Sequence, residues 1–332
     1  MSAPDLSREE WLELRRKSIG ASEAAAACGE DPKVSPLELV CRKRGELPEE
    51  DLSDIEAIQW GLLLEPAIVA ESARREGLAL LNKEQIEAAF RGDEVTDLVG
   101  FVDGAHPFLR SRARPWQTAT LDGVAYDPGS QRLVGIEAKN QGQYHSGAWD
   151  TEDGLAPDKF RLQVAHQLAV APRLSDGLLA GLIGGNSLRR LRMERVYLLR
   201  IIEALVVVEE DVWRCVQTGS TPSLSGPPAS VARALTALHP DDNGESVILP
   251  DSMLGVVAEY LDAKSKAAEF SAREEALKVQ IEAAIGKASY GVLPDGSGSF
   301  SLLTTERAGY SSEVAPTKYR QLRLQRARHQ RK

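Results

Sequence analysis

The run Ala119-Thr120-Leu121-Asp122-Gly123-Val124-Ala125-Tyr126, the turn Asp127-Pro128-Gly129-Ser130 and the run Leu133-Val134-Gly135-Ile136-Glu137-Ala138-Lys139-Asn140 decide the reading of this chain. Pro128-Gly129 between two β-prone runs predicts a hairpin. Asp122 falls on its first arm, and Glu137 and Lys139 fall on its second. Residues two apart on a strand share a face, so Glu137 and Lys139 point one way and Ile136 and Ala138 the other. Two acids and a lysine at the edge of apolar strands suit a divalent cation held against a phosphate. Taken alone, Asp122 followed by Glu137-x-Lys139 fits a plain surface salt bridge between Glu137 and Lys139 equally well.

On the N-terminal side, Ser7-Arg8-Glu9-Glu10 is a capping box, which predicts a helix from about Arg8 with Trp11 and Leu14 on its apolar side. Ser18-Ile19-Gly20 breaks it, and the stretch from Ala21 to Ala27 starts another, closed by Gly29. Ser22 then lies at a helix N-terminus, where free backbone N–H groups favour an anion. Arg15 would add a guanidinium to such a site. From pattern alone the pair also reads as a helix cap and a surface cation. Ser35-Pro36 opens a third helix, ended by Gly45. Glu46 to Asp54 is an acidic loop. A further helix is expected from about Ile55 to Glu76, ended by Gly77. Glu65 lies there among leucines and before Pro66, which predicts a kink or restart. Such a carboxylate needs a partner, a metal or solvent. Leu78 to Leu81 and Ile86 to Phe90 are expected as strands. Phe101 to Arg114 reads as irregular, with His106 in a structural role.

On the C-terminal side, Gln141 to Gly154 is a long polar loop of the kind that often carries function. Pro157 opens a helix and Pro172 stops it. Phe160, Gln163, Gln167 and Val170 share one of its faces, which brings Gln163 towards the hairpin. His166 lies off that face and reads as structural. Leu178 to Ile183 is a buried strand with Leu191 to Leu199 as its partner, followed by an amphipathic helix over 201–215. The expected division is a core over 1–222, a proline-bearing linker over 223–250, and a C-terminal part over 251–332. That last part holds a long helix, a hairpin about Asp295-Gly296-Ser297-Gly298 and a basic tail.

Bulk properties exclude several classes. With 332 residues and a 42% hydrophobic fraction, the chain can bury a proper core. No apolar run approaches the roughly 20 residues of a membrane span, and the polar N-terminus has no signal-peptide pattern. Cys28, Cys41 and Cys215 read as reduced thiols and are too few for a four-cysteine cluster. No Gly-Lys-Ser/Thr loop is present, so an ATP-driven motor is not expected. The net charge of −9 hides an uneven distribution, since residues 306–332 hold 8 basic and 2 acidic side chains. Further clusters occur at Arg110, Arg112 and Arg114, and at Arg189, Arg190, Arg192 and Arg195. An acidic protein can bind DNA through such stripes, and each also fits a solvated face.

Taken in order, Trp11-x-x-Leu14-Arg15-x-x-x-Ile19-Gly20-Ala21-Ser22-Glu23, Gly61-x-x-x-Glu65-Pro66, Ala119-Thr120-Leu121-Asp122-Gly123, Glu137-Ala138-Lys139 and Gln163-Val164-x-x-Gln167-Leu168 resemble the YqaJ-like viral recombinase family, which includes the bacteriophage lambda exonuclease. The resemblance covers about residues 8–222. It implies an α/β (mixed α+β) fold with a restriction-endonuclease-like PD-(D/E)XK core, one central mixed sheet flanked by helices, and a C-terminal helix–hairpin extension. It implies Asp122 and Glu137 as metal carboxylates, the Ala138 carbonyl as a further ligand and Lys139 as the catalytic lysine. Glu65 corresponds to the family's helix glutamate, which helps hold the metals and their waters, and Gln163 to the glutamine that supports the site. Arg15, Ser22 and Thr120 correspond to its pocket for a DNA 5′-phosphate. Two departures stand out. Leu121 replaces the nominal proline of Pro-Asp, and Glu56 occupies a position where the lambda enzyme has a lysine.

The implied activity is a 5′→3′ exonuclease on double-stranded DNA ends that uses Mg²⁺, with Mn²⁺ able to substitute. It would leave a 3′ single strand for an annealing protein or recombinase. A homo-oligomer, such as a trimeric ring, and a phage or prophage origin in a bacterial cytoplasm are also implied. The alternatives are a structure-specific or restriction-like endonuclease, and a DNA-binding recombination scaffold with a vestigial nuclease.

Overall fold

A computed structural model describes residues 3–48, 54–149, 154 and 156–305. The basic tail at 306–332, residues 49–53 of the acidic loop and residues 150–153 of the long loop lie outside them. The chain forms two compact units, Met1–Pro240 and Asp241–Lys332.

In chain order, the first unit begins with β1 (Asp5–Leu6), α1 (Arg8–Arg16), β2 (Ile19–Gly20), α2 (Ala24–Cys28), α3 (Pro36–Lys43) and α4 (Glu56–Arg75). Then come β3 (Ala79–Leu80), α5 (Lys83–Phe90), β4 (Thr96–Val102), β5 (His106–Ser111), β6 (Gln117–Thr120), β7 (Gly123–Asp127) and β8 (Arg132–Gln141). It ends with α6 (Asp158–Val170), β9 (Leu174–Ile183), β10 (Ser187–Glu194), α7 (Arg195–Thr218) and α8 (Pro228–Leu238). The second unit holds α9 (Met253–Ile285), β11 (Tyr290–Val292) and β12 (Ser299–Ser301).

The fold is mixed α/β, with two five-stranded mixed sheets flanked by helices where one central sheet was expected. One sheet has the order β1-β4-β5-β6-β2 and the other β10-β9-β8-β7-β3. The expected first hairpin arm is divided between them. Ala119 and Thr120 end β6 in the first sheet, and Gly123 starts β7 in the second. Leu121, fully buried, and Asp122 make the crossing. The second arm is continuous, and β7 and β8 pair antiparallel from Gly123–Ile136 to Asp127–Arg132. The turn is held by the Asp127 carboxylate, whose Oδ1 accepts from the N–H of Gly129 at 2.9 Å and of Ser130 at 3.3 Å. β8 and β9 run parallel, joined by a crossover that contains α6, as parallel neighbours require.

Two glycines let helices approach the second sheet closely. A Cβ on Gly123 would lie 2.8 Å from Val69 Cγ1, so α4 packs directly on β7. A Cβ on Gly177 would lie 2.2 Å from Val164 Cγ1, which brings α6 onto β9. The core between these layers includes Val124, Phe160, Val164, Leu168 and Leu179. Ile136 and Ala138 join Ile68 and Val69 of α4 in a second cluster, on the face expected for them.

Four expectations are corrected. Residues 86–90 lie in helix α5, not a strand, because Asn82 caps it and forms a capping box with Gln85. Residues 101–114, read as irregular, contain the β4–β5 hairpin, turned by Asp103 at φ 50° and Gly104 at φ 72°. Pro66 does not break α4. The carbonyl it orphans belongs to Leu62, which is exposed and so open to water. Residues 228–238 form α8 rather than linker. Ser230 and Ala234 of α8 are fully buried, and Ser230 Oγ donates to Glu38 of α3. The first unit therefore runs on to Pro240. In the second unit α9 has no buried residue among its 33. Among the described residues no helix is long and apolar enough to cross a membrane.

Candidate active site

Glu137 and Lys139 sit on β8 where it runs between β7 and β9, with Asp122 at the sheet crossing beside them. Lys139 Nζ donates to Glu137 Oε1. Gln163 Nε2 donates to the same oxygen at 2.7 Å, and Gln167 Nε2 donates to Glu137 Oε2. Both glutamines project from α6, four residues apart on one face. Asp122 Oδ2 accepts the backbone N–H of Ala138 at 2.7 Å, which pins the crossing to β8. Phe160 packs under the ammonium of Lys139, 5.1 Å from ring centre to Nζ.

Glu65 enters from α4. Its Oε1 lies 2.7 Å from His106 Nε2 at the start of β5, so each sheet contributes to one cluster. The electrostatics follow from crowding. Burial pushes the Asp122 carboxyl well above its ordinary range, and the Glu137 and Glu65 charges push it further. The hydrogen bond to Glu65 raises the His106 imidazole, against the effect of burial. Burial alone would lower Lys139, but the charges of Glu137 and Asp122 outweigh it and hold the ammonium above its usual value. A neighbouring divalent cation would push Lys139 the other way, towards a lower value.

Among the described residues no group of three or more His, Cys, Asp or Glu side chains is arranged as a ready-made metal cluster. The chemistry of the donors nevertheless fits a hard divalent cation. Asp122, Glu137 and Glu65 concentrate negative charge in a buried place, and the raised Asp122 carboxyl shows that Lys139 alone does not relieve it. A cation reaching Glu137 Oε1 would compete there with Lys139 and Gln163.

The second predicted cluster also assembles. Arg15 on α1 donates from Nη2 to Ser22 Oγ at 3.1 Å and lies 3.5 Å from Glu23 Oε1. Lys43 of α3, almost wholly buried, donates to the Arg15 carbonyl at 2.7 Å and to Glu23 Oε2 at 2.8 Å. Burial would raise the Glu23 carboxyl, but Lys43 and Arg15 bring it below its ordinary value. Ser22 is exposed and lies in a single 3-10 turn, Ala21–Glu23, that leads into α2. Thr120 joins this cluster through Trp11, whose Nε1 donates to Thr120 Oγ1 at 3.0 Å. β2 pairs parallel to β6, which sets the turn bearing Ser22 beside the strand that ends at Thr120.

Every predicted site residue thus falls into one of two groups, Asp122, Glu137, Ala138, Lys139, Glu65 and Gln163 in one and Arg15, Ser22 and Thr120 in the other. Residues 10–173 match the family described as the YqaJ-like viral recombinase domain. The chain carries a YqaJ-like viral recombinase domain. The match includes all nine residues. The uncharacterized protein YqaJ of Bacillus subtilis (strain 168) is 26% identical over 295 residues, 87% of this chain and 82% of that protein. Among solved structures, the alkaline exonuclease LHK-Exo from Laribacter hongkongensis aligns with a TM-score of 0.41 and 18% identity, over 63% of this chain and 94% of its own. Its complex with dAMP aligns over the same shares with a TM-score of 0.42 and 18% identity.

Four residues drawn into these two clusters have no site role in the expectations above. Gln167 was placed on the α6 face without a partner, although its spacing from Gln163 was the available signal. His106 was read as structural, and nothing local announces its pairing with Glu65. Trp11 is expected as an apolar helix position and opens the first quoted motif, without a role of its own. Nothing in the sequence singles out Lys43.

Proposed function

We propose that this protein is a Mg²⁺-dependent nuclease that degrades one strand of double-stranded DNA from its 5′ end and leaves a 3′ single-stranded overhang for recombination. The observation that carries this reading is the cluster of buried Glu137 with half-buried Asp122 and Lys139, held by two glutamines of α6 and approached by Glu65 of α4. Its architecture is read as a PD-(D/E)XK core. Asp122, Glu137 and the Ala138 carbonyl would hold the cation, with Glu65 supporting it. Bound there, Mg²⁺ supplies Lewis acidity and neutralises charge on the scissile phosphate, and Mn²⁺ supplies the same. Lys139 places a positive charge where the transition state gains negative charge. Gln163 and Gln167 fix the Glu137 carboxylate so that it does not reorganise during reaction. Asp122 is held in place by the Ala138 amide.

Arg15, Ser22 and Thr120 would receive a 5′-phosphate, which gives the reaction its direction. The product overhang would pass to a single-strand annealing protein or recombinase, and the working form would be a homo-oligomer, such as a ring, in a bacterial cytoplasm infected by phage.

The test uses linear 5′-phosphorylated duplex, linear single strand and covalently closed circle, each with and without Mg²⁺. Release of nucleotides from the linear duplex alone, and only with metal, is expected. Cleavage of the closed circle would make the protein an endonuclease, and no cleavage of any substrate would leave a binding scaffold. Arg15→Ala is expected to slow phosphorylated ends by roughly 10- to 100-fold, the loss of one charge-assisted contact of about 1.5–3 kcal/mol, and hydroxyl ends far less. Equal slowing of both ends would remove Arg15 from end recognition.

A further inference from the structure

The α1 residue Trp11 touches both halves of the phosphate cluster. The guanidinium carbon of Arg15 lies 4.9 Å from its ring centre, a cation–π distance. That of Arg8 lies 5.8 Å from the same ring. The indole Nε1 donates to Thr120 Oγ1 at 3.0 Å. Trp11 and Thr120 are far apart in sequence and sit on different elements, so this bond ties α1 to the end of β6. Thr120 also faces the cleavage cluster, because its carbonyl accepts from Gln167 Nε2 at 3.5 Å, and the same Nε2 donates to Glu137 Oε2.

The contacts therefore run without a gap from Ser22 through Arg15, Trp11, Thr120 and Gln167 to Glu137. Arg15 has a flexible stem, and Ser22 Oγ at 3.1 Å and Glu23 Oε1 at 3.5 Å hold only its tip. The indole face limits its swing, and the indole N–H fixes the rotor of Thr120. A threonine hydroxyl that accepts from Trp11 has its own hydrogen free to donate elsewhere. A phosphate placed between Arg15 and Thr120 would then meet a guanidinium and an O–H at once.

We propose that Trp11 is the positioning residue for the recognition of a 5′-terminal phosphate, holding Arg15 by its ring and Thr120 by its N–H. This deepens the proposed function and rests on it. The stack and the hydrogen bond are separable. Trp11→Phe keeps an aromatic face for Arg15 and removes the donor. Thr120→Val removes the acceptor from the other end of the same bond.

The readout is binding of duplex with a 5′-phosphate against duplex with a 5′-hydroxyl, by fluorescence anisotropy in EDTA so that cleavage plays no part. The wild type is expected to prefer the phosphorylated end. Trp11→Phe should cut that preference about fivefold, the worth of one ordinary hydrogen bond. Trp11→Ala, which also loses the stack, should cut it more. In the Arg15→Ala background Trp11→Ala should cost less than it does in the wild type, because the guanidinium its ring holds is gone. Where Trp11→Phe proves unstable, Thr120→Val reads the same bond together with the hydroxyl it presents, and the double variant should fall no further than Thr120→Val alone. A wild-type preference retained in both Trp11→Phe and Thr120→Val would overturn the proposal, as would effects of Trp11 and Arg15 that simply multiply. A wild type with no preference and no nuclease activity would overturn the proposed function instead, so the two failures are distinguishable.

Discussion

Lys139→Met is expected to reduce nucleotide release from linear duplex by roughly 10²–10³-fold, the usual cost of removing one preorganised electrostatic group from a site. The substitution keeps an unbranched chain over Phe160, so the packing seen under the ammonium is retained. Glu137 keeps two neutral donors, Gln163 and Gln167. The site nevertheless loses a cation that offsets its carboxylates, and Asp122 should become still harder to ionise. The folded state should therefore survive with similar far-UV circular dichroism while cleavage is lost. Glu137→Gln should be equally inactive but less stable. An amide oxygen still accepts, but its NH₂ group would confront one of the two glutamine donors, leaving a buried polar clash of about 1–3 kcal/mol. The comparison separates chemistry from scaffold: full nuclease activity in Lys139→Met would remove Lys139 from the reaction, and full activity in both variants would remove the β8 pair.

What was legible in the sequence is what local chemistry determines. The β7–β8 turn depends on Asp127, Gly129 and Ser130, neighbours in the chain, and it forms as read. The caps at Ser7 and Ser35 likewise act within four residues, and α1 and α3 start where they say. The alternation that put Glu137 and Lys139 together on β8 is a property of one strand. The division of the first arm between two sheets is not local. Nothing in Ala119 to Tyr126 states that Leu121 is buried while the chain passes from β6 to β7, since that depends on which strands flank each half. His106 and Glu65 meet across 41 residues of sequence, and only tertiary packing brings α4 to the mouth of β5. Two misses had signals that were present. Asp103-Gly104 is the dipeptide preferred where both turn residues take positive φ, as they do between β4 and β5. Asn82 with Gln85 is a capping box, yet the apolar residues that follow were weighed as strand.

The largest stability effect is expected away from both clusters, at His166 and Glu209. His166 Nδ1 lies 2.6 Å from Glu209 Oε1, and Nε2 lies 2.8 Å from the Thr118 carbonyl. Both partners are acceptors, so both ring nitrogens must carry hydrogen, and the imidazole is charged. Gln117 Nε2 donates to Glu209 Oε2 at 2.7 Å, so each carboxylate oxygen has a partner. Both side chains of the pair are fully buried, and together they join α6, α7 and β6, the elements that carry Gln163, Gln167 and Thr120. Burial would lower the imidazole, but the Glu209 charge and its hydrogen bonds raise it above the ordinary histidine value. A folded-state value above the unfolded one of about 6.5 means that the stabilisation is fully present below that pH. It is lost as pH rises through the raised folded value. Glu209→Gln should therefore cost about 3–5 kcal/mol at pH 6, where a charged imidazole would be left buried without its counter-ion. At higher pH the imidazole can shed its proton and the cost should shrink. Urea unfolding of both proteins at pH 6 and pH 9 reads this directly, and a cost that is the same at both values would show that His166 is neutral in the folded protein.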